Sequence, residues 1–203
     1  MRHPQKEGKM DSEITKIIKA TTKKTIAQEI AAIESLPPNL NISSIVIAVQ
    51  AILYNPDVNV FACGMGKSGL VSRIFVSKLR TIGHPAFYLN PAEAMHGELG
   101  AVRHGDIIVF FSKSGETKLL CDLIPVLNKA KHQIITITCN RHSTLYHAAD
   151  IAVHIPITIE ADNINMLPTN SAITMVAVSD AIVVSIMAVR GFDVGQYKTN
   201  HPA

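Results

Sequence analysis

The chain has no tryptophan, and aromatic residues make up 5% of its 203 positions, a scarcity that excludes nothing by itself. The shortage of cysteine says more. Cys63, Cys121 and Cys139 are odd in number, widely spaced and set in apolar or mixed stretches. They form neither a disulfide framework nor a metal-ligand pattern, so no metal site is expected and the thiols read as reduced groups of a cytosolic protein. Charge of one sign is also scarce, with 19 Lys and Arg against 16 Asp and Glu for a formal net charge of +3. The surplus lies mainly in the first two dozen residues, where Arg2, Lys6, Lys9, Lys16, Lys19, Lys23 and Lys24 outnumber Glu7, Asp11 and Glu13. No dense basic block with interleaved aromatics follows, which argues against nucleic acid as a partner. The solvated face of an N-terminal helix accounts for the excess.

The N-terminus has no apolar segment followed by a small-residue cleavage site, so a secretory signal is not expected and a cytoplasmic location is. One apolar run, Ala172 to Val189, approaches the roughly 18 residues of a membrane span, but Ser179 and Asp180 interrupt its centre. A mid-bilayer Asp is costly, and the run reads as a helix buried in a core or a subunit interface. No repeat, low-complexity tract or linker is present. With 47% hydrophobic and 17% charged residues, the chain has the length and composition of one well-buried domain. Residues 13–203 are assigned to it and residues 1–12 are expected to be mobile.

Apolar periodicity gives the order of elements. Ile14, Ile17, Ile18, Thr21, Ile26, Ile30 and Ile33 recur at helical spacing until Pro37-Pro38, and a second helix from about Ser43 to Tyr54 ends before Asn55-Pro56. Strands are predicted at 58–63, 86–89, 107–111, 134–138 and 151–155, separated by helices at 70–82, 116–131 and 143–149. Strands alternating with helices argue for a parallel five-stranded sheet covered on both faces, a three-layer αβα sandwich. Residues 157–168 fit neither period and form a candidate active-site loop. A long helix over 169–190 follows, capped by Gly191, and the tail beyond it is polar.

In such a sheet ligands bind at the carboxyl ends of the strands. Gly64-Met65-Gly66-Lys67-Ser68-Gly69 follows a strand and opens a helix, and offers backbone N–H groups and an ammonium to an anion. It lacks the glycine spacing of a nucleotide P-loop and of the dinucleotide fingerprint. Ser112-Lys113-Ser114-Gly115-Glu116-Thr117 places hydroxyls of Ser112, Ser114 and Thr117 beside the free N–H groups of a first helical turn, a geometry suited to a phosphate dianion. Pro168-Thr169-Asn170-Ser171 opens the long helix, where Thr169 or Ser171 is a substrate contact, an N-cap or both. His96, Glu160 and His201 are the side chains suited to moving protons near neutral pH.

These segments, in this order and spacing, together with Pro91-Ala92-Glu93-Ala94-Met95-His96-Gly97-Glu98-Leu99-Gly100 and Arg190-Gly191-Phe192…His201-Pro202, resemble the sugar isomerase (SIS) domain of the arabinose-5-phosphate isomerases. The likeness runs from about Thr25 to Pro202. It implies interconversion of D-ribulose 5-phosphate and D-arabinose 5-phosphate without a cofactor, on the way to Kdo, an acidic sugar of lipopolysaccharide and some capsules. It also implies a homotetramer with active sites shared between subunits. Lys67, His96, Glu160 and His201 take the catalytic positions, and Gly66, Ser68, Ser112, Ser114, Glu116, Thr117, Thr169 and Ser171 the substrate- and phosphate-binding ones. Either Glu160 or His201 is the base, and Lys67 stabilises developing negative charge. Two departures from the family pattern stand out: Leu119 stands where a glutamate is usual, and residues 161–167 differ from the usual run of cysteine, proline and glycines. Many relatives carry a C-terminal pair of cystathionine-β-synthase type domains. This sequence stops at Ala203, so regulation is expected on the isomerase domain itself, through a Kdo product or its nucleotide-activated form.

Overall fold

The computed structural model describes residues 4–54 and 57–202, with side chains from Asp11 onward. Helices α1 (Pro4–Glu34), α2 (Leu36–Asn39) and α3 (Ile42–Leu53) precede the sheet. Then follow β1 (Val60–Gly64), α4 (Gly66–Thr81), β2 (Ala86–Leu89), α5 (Pro91–Ala94) and a 3-10 turn (Glu98–Ala101). The chain continues through β3 (Ile107–Ser112), α6 (Lys118–Cys121), α7 (Ile124–Lys129), β4 (Gln133–Thr138), α8 (Thr144–Ala148) and β5 (Ile151–His154), and closes with α9 (Asn170–Arg190) and α10 (Val194–Asn200).

All five strands pair in parallel in the order β2-β1-β3-β4-β5. Their residues are apolar on both faces because both faces are covered. On one side Val60, Ala62, Val109, Phe111 and Ile137 pack against Val71 and Phe75 of α4, Val49 and Ile52 of α3, and Met175, Val178 and Ile182 of α9. On the other, Phe61, Cys63, Ile108, Phe110 and Ile134 pack against Leu120, Leu123, Leu127 and Leu145. The αβα sandwich and its five-stranded parallel sheet are therefore as the sequence implies.

Some boundaries differ, each for a local reason. Helix α4 starts at Gly66, so Lys67, Ser68 and Gly69 occupy its first turn rather than a loop. The helix expected over 116–131 is two short ones. Pro125 cannot donate to the preceding turn, and it stands where α7 begins. Pro37 and Pro38 fall in the first turn of α2, where no N–H is needed, and α1 ends before them at Glu34. The polar tail contains α10, opened by a capping box in which Asp193 and Gln196 exchange side-chain to backbone hydrogen bonds. Gly191 ends α9 at φ 62°, the left-handed conformation expected of it. Of the N-terminal stretch 1–12, residues 1–3 lie outside the described residues and residues 4–12 belong to α1; the stop at Asn55-Pro56 also lies outside them.

Helix α9 is long and apolar enough to cross a membrane. Here it packs on α1, α3 and α4, buries Met175, Val178, Ile182, Val183 and Ile186, and pairs its Asp180 with Lys78 of α4.

Candidate functional site

Strand order reverses between β1 and β3, because β1 continues outward to β2 while β3 continues to β4 and β5. In doubly wound sheets the crevice at the carboxyl ends of such a strand pair is the ligand site. Two of the three polar loops open there. Gly64 ends β1 beside Phe111 of β3, and Ser112 follows one residue later.

On the β1 side the chain turns into α4 with almost no clearance. A Cβ on Gly64 would lie 2.8 Å from the Ser68 carbonyl oxygen, and one on Gly69 would lie 2.7 Å from the Gly64 oxygen. Met65, the N-cap, supplies no side-chain cap to the helix. The N–H groups of the first turn therefore face the crevice uncapped, at the positive end of a 16-residue helix. The Lys67 side chain is exposed and makes no hydrogen bond or ion pair among the described residues.

The β3 loop is held in shape by its own hydroxyls. Ser112 Oγ lies 3.1 Å from Thr117 Oγ1 and accepts from the Gly115 N–H at 3.0 Å, while Ser114 Oγ accepts from the Glu116 N–H at 3.2 Å. The Lys113 carbonyl accepts from Thr138 Oγ1 and the Cys139 N–H, and the Ser114 carbonyl from Asn140 Nδ2 at 3.1 Å. Gly115 stands at φ 66°, and a Cβ there would fall 2.0 Å from Ser143 Oγ. No side chain fits, so the glycine fixes the turn. Glu116, expected to contact substrate, accepts from the N–H and hydroxyl of Thr144 at 2.8 Å each, at the start of α8. The Thr144 backbone N–H and hydroxyl lower its pKa below the usual carboxylate value.

The third loop holds a buried anion. Glu160 is 1% exposed. One carboxylate oxygen lies 2.7 Å from Lys113 Nζ and accepts from Ser171 Oγ. The other accepts from the Thr169 N–H at 2.9 Å, the Ser171 N–H at 3.0 Å and Thr169 Oγ1 at 3.2 Å. Glu160 thus caps α9 from outside the helix and ties it to the β3 loop through Lys113. Burial alone would raise its pKa, but the hydrogen bonds from Lys113, Ser171 and Thr169 outweigh burial and hold it at about 2. A carboxylate so fully engaged is a weak proton acceptor near neutral pH. Thr169 and Ser171, expected at the substrate, are both committed to Glu160.

The two remaining proton-transfer candidates stand apart. His96 is exposed in the turn after α5, which packs beside α6 at the exit of the serine loop. His201 follows α10, stacks on Tyr197 with ring centroids 4.2 Å apart, and forms no hydrogen bond with either loop among the described residues. The structure therefore joins Ser112, Ser114 and Thr117 in one cluster, and Glu160, Thr169 and Ser171 in another. It leaves Lys67, His96 and His201 unattached to both. Sequence reasoning gave no role to Lys113, which links the clusters; a lone lysine among hydroxyls carries no signal of a partner as distant in the chain as Glu160. Among the described residues, no group of three or more His, Cys, Asp or Glu side chains is arranged to hold a metal ion.

Residues 52–185 match the SIS domain family. Arabinose 5-phosphate isomerase KpsF of Escherichia coli is 34% identical over 182 residues, 90% of this chain and 55% of that protein. Arabinose 5-phosphate isomerase GutQ of Salmonella typhi is 32% identical over 181 residues, 89% of this chain and 56% of that protein. The chain spans about half the length of the curated relatives it matches. Among solved structures, the c3406 protein of Escherichia coli CFT073 in complex with arabinose 5-phosphate superposes with a TM-score of 0.86 at 29% identity, covering 93% of this chain and 98% of that one.

Proposed function

The chain belongs to the SIS domain family, and from that premise we propose that it is an aldose-ketose isomerase interconverting D-ribulose 5-phosphate and D-arabinose 5-phosphate. The observation that carries the proposal is the crevice at the β1/β3 switch point, where an uncapped helix N-terminus with Lys67 faces a hydroxyl loop pinned in an anion-receiving shape. The names of the relatives and the arabinose 5-phosphate complex of a structural neighbour support the choice of sugar.

Isomerisation removes the proton on the carbon next to the carbonyl, stabilises the enediolate and returns a proton to the neighbouring carbon. In this reading the β3 loop and the α4 N-terminus hold the phosphate. Lys67 offers its ammonium to the enediolate oxygens. The clamped Glu160 keeps α9 and the loop in register, so the proton transfers fall to His201 and His96. His201 does not reach the loops of its own chain, so the complete site takes it from a second subunit of a homo-oligomer, a tetramer by family likeness. The cellular setting that fits is Kdo supply for lipopolysaccharide or capsule in the cytoplasm, with a downstream Kdo compound as the feedback ligand.

Leu119 favours a second reading. It is 39% exposed on α6, where the family pattern has a glutamate. A phosphosugar sensor without turnover would tolerate that loss, as would an isomerase of another phosphosugar. Variants separate these readings. Lys67→Met and His201→Gln are expected to lower kcat by about 100-fold with sugar-phosphate binding retained, whereas Ser112→Ala with Ser114→Ala raises KM. A wild-type chain that binds but never turns over any pentulose or hexulose phosphate makes the sensor the correct reading.

A further inference from the structure

Strand β2 lies at the edge of the sheet, beside β1, and its side chains alternate between the two faces. Phe87 stacks on Phe61 with ring centroids 5.3 Å apart, on the face away from α4, so Tyr88 points to the α4 side. Its hydroxyl donates to the Gly64 carbonyl at 2.9 Å, two residues beyond Ala62, the position Tyr88 pairs with in β1. The Arg73 guanidinium of α4 lies 3.7 Å from the centre of the Tyr88 ring, a cation–π stack that holds the ring from the helix side. Burial first, and Cys63 second, raise the pKa of the phenol, so the hydroxyl keeps the proton it donates.

The segment that Tyr88 reaches is weakly held by its own residues. The chain enters α4 through Gly66 at φ 55°, and Met65 gives the helix no side-chain cap. A glycine there leaves the backbone free to rotate, yet this short turn has to aim the first N–H groups of α4 and Lys67 at the crevice. The restraint falls on the Gly64 carbonyl. Gly69 backs onto it so closely that a Cβ would lie 2.7 Å from the Gly64 oxygen and 3.1 Å from the Tyr88 hydroxyl. A planar peptide turns as one unit, so an oxygen held by Tyr88 also sets the direction of the Met65 N–H and the entry into α4.

We propose that Tyr88 is a positioning residue of the β1/β3 site: through the Gly64 carbonyl it fixes the start of α4, and Arg73 fixes Tyr88 in turn. Strand β2 thereby braces the helix terminus that receives the phosphate, although Tyr88 acts through the backbone and not on the ligand. The inference rests on the crevice being the sugar-phosphate site and adds to it a residue that lies outside both of its loops.

The test compares the full chain in four forms: wild type, Tyr88→Phe, Arg73→Lys and the double variant. Each is titrated by calorimetry with inorganic phosphate and with D-arabinitol 5-phosphate, which lacks the carbonyl and cannot isomerise. Each is also assayed on D-ribulose 5-phosphate, well below its unfolding midpoint. Tyr88→Phe keeps the ring and its stack and loses the donor alone. Both ligands are expected to bind it about tenfold more weakly, with KM raised to match. Arg73→Lys keeps the charge and loses the planar stack; it is expected to weaken binding severalfold by itself and to add nothing to Tyr88→Phe. Unchanged affinity and KM in Tyr88→Phe overturn the proposal, even with a lowered unfolding midpoint, because the hydrogen bond then serves the fold alone. So does a further loss from Arg73→Lys in the Tyr88→Phe background, because Arg73 would then act on the anion directly. A wild type that binds D-arabinitol 5-phosphate without turning over D-ribulose 5-phosphate removes the isomerase reading, and the binding constants still decide the role of Tyr88.

Discussion

Glutamine in place of Glu160 keeps the shape of the side chain and removes the charge that Lys113, Thr169 and Ser171 all address. Breaking a buried, hydrogen-bonded charge pair in this way is expected to cost roughly 2–3 kcal/mol, read as a lower unfolding midpoint. The effect depends on pH with a definite sign. The folded carboxyl titrates at about 2 instead of 4.5, so its stabilisation is fully present above pH 4.5 and disappears as pH falls towards 2. The midpoint of the wild type should drop through that window more steeply than that of Glu160→Gln, and parallel slopes would contradict the clamp. Gly115→Ala is a second test at this scale. A Cβ 2.0 Å from Ser143 Oγ at a left-handed backbone position is expected to unseat the loop and raise KM for sugar phosphate; an unchanged KM would show that the loop does not hold the substrate. The hydroxyls of the loop are legible in the sequence because they crowd into six consecutive positions. The fate of Glu160, Thr169 and Ser171 is not, because pairing across distant loops is decided by the sheet that brings them together.

Short polar elements carry the least sequence signal and here position the tail. The strands are legible because inner parallel strands read as near-continuous apolar runs, and α9 because its apolar run is long. Helix α10 has no buried residue and no apolar stripe. Its one signal is Asp193 three residues ahead of Gln196, a capping box without the usual Ser or Thr. Asp193→Ala should cost about 1 kcal/mol of local helix stability, loosening the segment that carries His201. Faster amide exchange over 194–200 with little change in global unfolding is the expected result, and unaltered exchange would contradict it. The other end of α9 is stapled by Arg190, whose guanidinium lies 3.0 Å from Nδ1 of the buried His84. Burial first, and Arg190 second, push the His84 pKa down from 6.5 to about 4. The unfolded chain therefore takes up this proton first, and stability contributed above pH 6.5 is lost as pH falls through about 4. His84→Asn should flatten the stability profile between those values.

At the scale of the molecule, the sequence implies a parallel sheet but not its strand order, because the side on which each crossover returns is set by packing. The order matters, since it puts the Gly64 turn and the serine loop on adjacent strands. The outer surface also bears on function. Helix α1 exposes Ile14, Ile17, Ile18, Ile26 and Ile30, and α3 exposes Ile42, Val46 and Ile47. Apolar side chains gathered in this number mark an association surface. Sedimentation should find a homo-oligomer, and Ile17→Glu with Ile18→Glu should dissociate it and lower turnover together, because His201 does not reach the loops of its own chain. A fully active monomer would remove the shared site.

The most direct test of the central claim is to supply the purified chain with D-ribulose 5-phosphate and to identify the product by proton NMR, then to start from D-arabinose 5-phosphate. The account predicts the same ketose-to-aldose ratio from either side, with no added metal or cofactor. A chain that binds both sugars with saturation and leaves each unchanged would contradict it.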